Sequence, residues 1–162
     1  MVHGEIRRLR IDDFKKCASI WDMEKRSKLA EKFYRELQTG NRETFVYVEG
    51  DTYIAEGSIV FNMQDPDYTI DNQRVYCSRL IVRDTYRHRG IGSAMIDFLV
   101  DYSQRLGYKE MSIGVDLDNV IARNLYKKKG FTHVLFQGKD EQGVYFNYHR
   151  LKSGGLRAAV PD

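Results

Sequence analysis

A basic turn with two closely spaced glycines lies near the middle of the 162-residue chain, between a hydrophobic run and an amphipathic segment. The run and the turn contain Leu80, Ile81, Val82, Arg87, His88, Arg89, Gly90, Ile91, Gly92 and Ser93. The first N–H groups of a helix lack intrahelical acceptors and lie at the positive end of its dipole, so they bind anions. Glycines allow close approach, and arginines pair with phosphate oxygens. The sequence predicts a phosphate-binding turn over residues 87–93; a basic turn that only caps the helix is the alternative.

Two other kinds of phosphate site fit this sequence less well. A P-loop requires Gly-Lys-Ser/Thr, which does not occur in the chain. A Rossmann dinucleotide site has a stronger basis, because Gly90 and Gly92 follow a hydrophobic run and Asp116 comes 24 residues after Gly92. Its third glycine would stand where the chain has Met95, on the apolar face of the segment. Nicotinamide dinucleotide binding is therefore kept as a minor alternative.

A second polar motif follows, on a segment with helical periodicity. It contains Asn119, Ala122, Leu125, Tyr126, Gly130 and Phe131. Asn119 and Tyr126 are seven residues apart, so a rotation of about 100° per residue brings them within about 20° of one line along the helix. Both side chains can therefore line one groove. As alternatives, asparagine at a helix start is a common cap, and a helical tyrosine often packs in a core.

Hydrophobic periodicity gives the elements that must position these residues. The predicted strands cover residues 5–10, 44–49, 52–61, 74–82, 110–115, 131–136 and 144–150, and the predicted helices cover residues 12–21, 28–37, 91–106 and 119–129. Asp12 is the expected cap of the first helix, and Gly50 and Asp51 form a hairpin turn. We expect a single mixed α/β domain over residues 1–152 and a disordered tail over residues 153–162.

The two motifs together resemble the GNAT family of N-acetyltransferases. The family signature Arg/Gln-x-x-Gly-x-Gly/Ala corresponds to Arg87, Gly90 and Gly92, and Asn-x-x-Ala-x-x-Leu-Tyr followed by Gly-Phe corresponds to the second motif. The resemblance implies an α/β acyltransferase fold, with a mixed, mostly antiparallel sheet of about seven strands flanked by about four helices. It also implies acetyl transfer from acetyl-coenzyme A to a primary amine, without a metal.

The resemblance also implies roles for individual residues. The cofactor pyrophosphate would bind residues 87–93, and the pantetheine arm would lie along residues 80–82 like an added strand. Asn119 would form a hydrogen bond with that arm. Lys127, Lys128 and Lys129 would reach the 3′-phosphate, and a solvated helix end is the alternative for these three lysines. The amine would attack the thioester directly in a ternary complex, while the N–H of Ile81 polarises the carbonyl and Tyr126 protonates the departing thiolate.

The general base is harder to identify from the sequence. An amine with a pKa of about 10.4 is almost fully protonated at neutral pH, so a group or a water chain must remove a proton. Glu56 is an unexpected carboxylate inside an apolar strand, and burial would raise its pKa. An exposed or salt-bridged strand residue is the alternative for Glu56. Tyr76 and Cys77, on the next strand, are further candidates.

Charge and composition give expectations for the acceptor, the other partners and the cellular location of the protein. The net charge is only +3 and no nucleic-acid motif occurs, so a nucleic-acid partner is not expected. Asp65, Asp67 and Asp71 favour a cationic acceptor, either a small molecule or a peptide. No apolar stretch is long enough to cross a membrane, which predicts a cytoplasmic protein. A homodimer is left open, and a non-catalytic sensor of acetyl-coenzyme A or coenzyme A is the alternative function.

Overall fold

The computed structural model describes residues 4–116, 118–140 and 143–151. The strands are β1 (Glu5–Arg8), β2 (Arg42–Glu49), β3 (Thr52–Val60), β4 (Arg74–Val82), β5 (Glu110–Asp116), β6 (His133–Asp140) and β7 (Gly143–Leu151). The helices are α1 (Ser27–Thr39), α2 (Ile91–Arg105) and α3 (Val120–Lys128), with 3-10 helices over Ile11–Ser19 and Asp84–Tyr86. The expected sequence of strands and helices is therefore confirmed, with ends shifted by a few residues.

The strands form a seven-stranded mixed sheet in the order β1-β2-β3-β4-β5-β7-β6. The pairs β1–β2, β5–β7 and β6–β7 are antiparallel, whereas β4 and β5 are parallel. A parallel pair needs a crossover connection, and α2 supplies it here. The mixed, mostly antiparallel α/β fold expected from the sequence is confirmed.

One compact unit contains described residues 4–59 and 79–96. Its apolar core consists of Leu9, Phe14, Cys17, Trp21, Phe33, Val46, Val48 and Tyr53. The first predicted helix is a 3-10 helix, and the predicted Asp12 cap is wrong because Arg10 occupies the cap position without a side-chain cap hydrogen bond. Phe14 and Cys17 are three residues apart, and this spacing aligns side chains in a 3-10 helix, so both are buried in that form.

The second compact unit contains described residues 60–78 and 97–151, apart from 117, 141 and 142. Within it, β4 from Arg74 to Cys77 pairs with β5 from Glu110 to Ile113. Arg74 and Glu110 form an ion pair of 2.7 Å, and both side chains are almost fully buried. Gly107 has a φ of 100°, the left-handed conformation typical of a residue just after a helix C-terminus, here that of α2.

Two sequence expectations, the tail and the single domain, are not tested by these observations. The tail over residues 153–162 lies outside the described residues. The single domain over residues 1–152 stays a prediction. No helix in the described part of the chain is long and apolar enough to cross a membrane.

Candidate active site

The turn before α2 has the backbone expected of an anion-binding turn. His88 and Gly90 both have positive φ angles, of 65° and 80°. The first intrahelical bond runs from the N–H of Ala94 to the carbonyl of Gly90, at 3.0 Å. By helix geometry, the N–H groups of Ile91 and Gly92 just after this turn have no intrahelical acceptor. A Cβ built on Gly90 would meet nothing within 4 Å, so its left-handed conformation is what favours glycine there.

Arginines surround this turn. Arg87 forms an ion pair of 2.8 Å with Asp84, and its side chain is 58% exposed. The guanidinium groups of Arg83 and Arg89 lie over the Tyr86 ring, at 5.4 and 4.9 Å from its centre. An exposed ion pair contributes about 1 kcal/mol or less, so Arg87 can exchange Asp84 for a phosphate at little cost. The same unit therefore holds both the N–H groups and the positive charge of the predicted cradle.

Residues 80–82 lie directly before the turn, at the end of β4. All three are half-buried, and Ile81 packs against the core of its unit. The carbonyl of Val82 accepts a bond of 3.4 Å from Arg87, and the N–H of Arg83 donates to the carbonyl of Ile54 at 2.9 Å. The segment predicted to accompany the pantetheine arm is thus anchored on the same unit as the turn.

Glu56 is buried, with only 3% of its surface exposed. Its Oε1 accepts a hydrogen bond of 2.7 Å from the indole Nε1 of Trp21. Burial raises the pKa of Glu56, and the bond from Trp21, followed by the charges of Arg79 and Arg42, opposes that rise. Burial also raises the pKa of the Cys17 thiol, with Glu56 adding to the effect. The expected upward shift for Glu56 therefore occurs, and the alternative of an exposed residue does not apply.

Two of the side chains around Glu56 were not expected from the sequence to belong to a site. Trp21 lies at the end of the first predicted helix, Arg79 stands in the middle of a predicted strand, and neither belongs to a motif. One sequence signal could have indicated Arg79: β3 and β4 are largely apolar, yet each contains a charged residue, Glu56 in β3 and Arg79 in β4. Charged groups in such strands need partners, because burial of an isolated charge is costly.

In the second unit, Asn119 caps α3. Its Oδ1 accepts a hydrogen bond of 3.1 Å from the N–H of Ala122, so the common role of a helix-start asparagine is present. The residue is exposed, and its side-chain amide can still donate to a ligand. The cap and the expected contact with the pantetheine arm use different atoms, so one does not exclude the other.

Tyr126 is 8% exposed and packs edge to face on Phe131, with 6.1 Å between ring centres. Burial raises the pKa of its hydroxyl, and nearby Cys77 and Tyr76 add smaller upward contributions. The phenol therefore keeps its proton across the neutral range and can donate it. The core position on α3, which was the alternative for Tyr126, is therefore present, and its role as an acid stays a prediction.

Lys129 lies just after α3, and the structure gives its ammonium a protein partner. Nζ is 2.9 Å from both carboxylate oxygens of Asp97 in the same unit, and the side chain is 21% exposed. The prediction for Lys129 did not foresee this ion pair. A phosphate would have to compete with Asp97 for the ammonium.

The acidic loop over residues 64–72 is fastened to the strands of the second unit. Arg74 donates from Nη1 to the carbonyl of Pro66 at 2.6 Å, and the buried Ser112 hydroxyl donates to the carbonyl of Tyr68 at 2.6 Å. The Tyr68 ring also packs edge to face on Tyr76, with 5.0 Å between ring centres. Within the described residues, no group of three or more His, Cys, Asp or Glu side chains could hold a metal ion.

Known proteins match this chain both in sequence and in fold. The family model described as the acetyltransferase (GNAT) family matches residues 5–131. N-alpha-acetyltransferase 30 of Saccharomyces cerevisiae is 33% identical over 91 residues, which cover 54% of this chain and 51% of that protein. The chain thus spans about half the length of this curated relative.

Solved structures show the same fold at low sequence identity. An N-acetyltransferase from Staphylococcus aureus Mu50 superimposes with a TM-score of 0.72 and 15% identity, covering 93% of this chain and 99% of that one. The PaiA N-acetyltransferase from Thermoplasma acidophilum, solved in complex with coenzyme A, gives a TM-score of 0.65 and 17% identity, covering 93% and 99%. Because the family model spans most of the chain and includes both motifs, the chain belongs to the acetyltransferase (GNAT) family.

Proposed function

We propose that the protein is an N-acetyltransferase that moves the acetyl group of acetyl-coenzyme A to a primary amine of a small molecule or peptide. The observation that carries the proposal is the turn before α2, with its positive φ angles and surrounding arginines, in a chain of the GNAT family. By helix geometry, the N–H groups that follow this turn have no intrahelical acceptor. The name of the yeast relative and the coenzyme A bound to the Thermoplasma protein support the same reaction.

The cofactor contacts follow from the local chemistry of each segment. The pyrophosphate accepts hydrogen bonds from the N–H groups around Ile91, Gly92 and Ser93, and residues 87–89 supply positive charge and further donors. Residues 80–82 accompany the pantetheine arm, with Asn119 as an amide donor. Lys129 binds the 3′-phosphate only by leaving Asp97, so we expect its contribution to affinity to be small.

The chemical step is a direct attack of the neutral amine on the thioester carbonyl. The N–H of Ile81 polarises the carbonyl as the C–N bond forms and the C–S bond breaks. Glu56 accepts the proton that the amine loses, and Tyr126 donates a proton to the departing thiolate. Burial raises the pKa of Glu56 towards that of the amine, which makes its carboxylate a stronger base. Burial also keeps the Tyr126 hydroxyl protonated, so it has a proton to give, but its raised pKa makes it a weak acid and limits its contribution.

Replacing Tyr126 by phenylalanine should slow the reaction about tenfold without abolishing it, since a general acid contributes less when the leaving thiol has a pKa of about 8.5. The KM for acetyl-coenzyme A should stay within about twofold. The measurement is the rate of free thiol release at saturating amine, with Tyr102→Phe on α2 as the control. An unchanged kcat would exclude Tyr126 as the acid.

The proposed function itself is tested by free coenzyme A release with a panel of amines. The panel contains a polyamine, an aminoglycoside, amino acids and a peptide with a free N-terminus. We expect release with at least one class, together with a higher unfolding temperature in acetyl-coenzyme A but not in NAD. Stabilisation without release from any amine would favour the non-catalytic sensor, and stabilisation by NAD alone would favour the dinucleotide site.

The cationic character of the acceptor is a finer proposal that rests on the acidic loop. Asp71 is exposed, whereas the Asp65 carboxylate already accepts the N–H of Asp67 at 2.9 Å. Asp71 is therefore the loop carboxylate most available to an ammonium group. The cytoplasmic location and a homodimer stay predictions of the sequence.

A further inference from the structure

Arg79 occupies an unusual place in β4. Its φ angle is 60°, in the left-handed region that residues other than glycine seldom adopt, although it lies inside a strand. Its guanidinium carbon lies 4.6 Å from the centre of the Trp21 ring. The residue is partly exposed, so a ligand can reach it. A strained backbone that presents a charged side chain is typical of a functional position.

The aromatic ring beneath Arg79 is held on two sides. The indole N–H of Trp21 donates to Glu56 at 2.7 Å, and the ring meets Phe33 edge to face with 6.1 Å between centres. Trp21 itself is buried. A guanidinium stacked on a fixed ring keeps its planar fork in one orientation, and this reduces the entropy lost when the fork binds a carboxylate.

The positive charge of Arg79 is incompletely balanced by its own unit. In the described part of the chain, no carboxylate lies within ion-pair distance of Arg79, and its buried Nε has no hydrogen-bond partner. Glu56 attracts Arg79 but uses Oε1 for the indole. Arg26 and Arg42 add positive charge nearby, and they lower the pKa of Arg79 together with burial, which is the larger cause.

Arg42, in the same unit, is stacked on an aromatic ring as Arg79 is, but it also has a carboxylate within ion-pair distance. The Nε of Arg42 lies 2.9 Å from Glu36, and its guanidinium stacks 3.8 Å from the centre of the Phe33 ring. Arg79 shares the aromatic stack but lacks the carboxylate. The difference between the two arginines is one negative group, and a ligand can supply it.

We propose that Arg79 binds a carboxylate of the acceptor, so that the acceptor is a primary amine that also carries a carboxylate, as in an amino acid. This inference rests on the proposed acetyl transfer and narrows its substrate class. It adds a negative group to an acceptor whose amine is itself positively charged in solution. The planar fork of the guanidinium selects a carboxylate over a neutral amide of the same shape.

Matched acceptors test the inference on the purified full chain. One set is lysine, lysinamide and cadaverine, and the other is phenylalanine, phenylalaninamide and phenethylamine. The kcat/KM for coenzyme A release is measured for the wild type, for Arg79→Gln and Arg79→Lys, and for the control Arg35→Gln on an exposed position of α1. Comparing each variant with the wild type on the same acceptor cancels differences in intrinsic amine reactivity.

We expect Arg79→Gln to lower kcat/KM for the acids by about tenfold to a hundredfold more than for the matched amides and simple amines, as expected for the loss of charge-assisted hydrogen bonds to a carboxylate. A loss that acts through the pKa of Glu56 is common to all acceptors, so it cancels in this ratio. Arg79→Lys should lower kcat/KM for the acids less, because lysine keeps the positive charge. Arg35→Gln should leave kcat/KM unchanged for every acceptor. An equal loss on acids and amides would overturn the inference, since it would show a structural role. If Arg79→Gln does not fold, Arg79→Lys carries the same comparison.

A binding measurement separates failure of this inference from failure of the proposed function. The unfolding temperature of the coenzyme A complex is recorded with each acid and its amide. If no amine releases coenzyme A, the proposed transfer is wrong, but stabilisation by the acids that disappears in Arg79→Gln still supports a carboxylate site. If release occurs and the acids show no advantage that depends on Arg79, the transfer stands and the carboxylate inference is overturned.

Discussion

Gly92→Arg should abolish the stabilisation of the protein by acetyl-coenzyme A. Gly92 is the second residue of α2, where the N–H groups that follow Gly90 have no intrahelical acceptor. A long side chain there blocks the approach of the pyrophosphate, and loss of two charge-assisted hydrogen bonds raises the Kd by at least about a hundredfold. Thermal unfolding with increasing acetyl-coenzyme A measures the effect.

The fold should survive this substitution, because arginine has a higher helix propensity than glycine by nearly 1 kcal/mol. The unfolding temperature without ligand provides that check. Glu31→Arg, at an exposed position of α1, controls for the added charge and should keep the full ligand response. Gly92→Leu should show the same loss without any added charge. A normal ligand response in both Gly92 variants would refute the phosphate assignment.

Glu56→Gln should lower kcat by about a hundredfold or more, since a general base contributes roughly two to four orders of magnitude. Glutamine keeps the shape of the side chain and an oxygen that accepts the indole N–H of Trp21. Burial raises the pKa of Glu56, so in the wild type kcat should fall as the pH drops through that raised value and the carboxyl becomes protonated. The variant should lack this acidic limb. A pH profile of kcat measures it.

Glu56→Gln should lower kcat without lowering the stability of the fold, if Glu56 acts as a base and not as a structural residue. A carboxyl with a raised pKa in the folded state adds stability below its unfolded pKa and loses it as the pH rises through the folded value. The neutral glutamine avoids that loss, so the unfolding temperature of Glu56→Gln at neutral pH should equal or exceed that of the wild type. A variant that keeps kcat and its acidic limb would remove Glu56 from the mechanism.

The order of elements and the turn before α2 could be predicted because they depend on local signals. The apolar spacing along α2 and the glycine at 107 define that helix without help from distant residues. The two motifs indicated the GNAT family, and the family model confirms this membership over residues 5–131. The roles of residues at the site stay predictions, because they concern a ligand that the sequence names only by resemblance.

The surroundings of Glu56 could not be predicted, because they depend on contacts between distant parts of the chain. Trp21 and Glu56 are 35 positions apart, and Arg79 comes a further 23 positions along. Periodicity gives no information on where the indole N–H of the buried Trp21 points. Lys129 shows the same limit, since its ion pair with Asp97 joins residues 32 positions apart.

The loop over residues 64–72 shows how a family member could change acceptor without rebuilding its fold. Its backbone is tied to Arg74 and Ser112 through the carbonyls of Pro66 and Tyr68, so the tether does not depend on the identity of the loop side chains. A substitution at Asp71 would alter the charge offered to an acceptor while the loop path stayed the same. An acceptor that contacts this loop also meets a segment that is already ordered, which reduces the entropic cost of association. Divergence in acceptor choice can therefore proceed one side chain at a time.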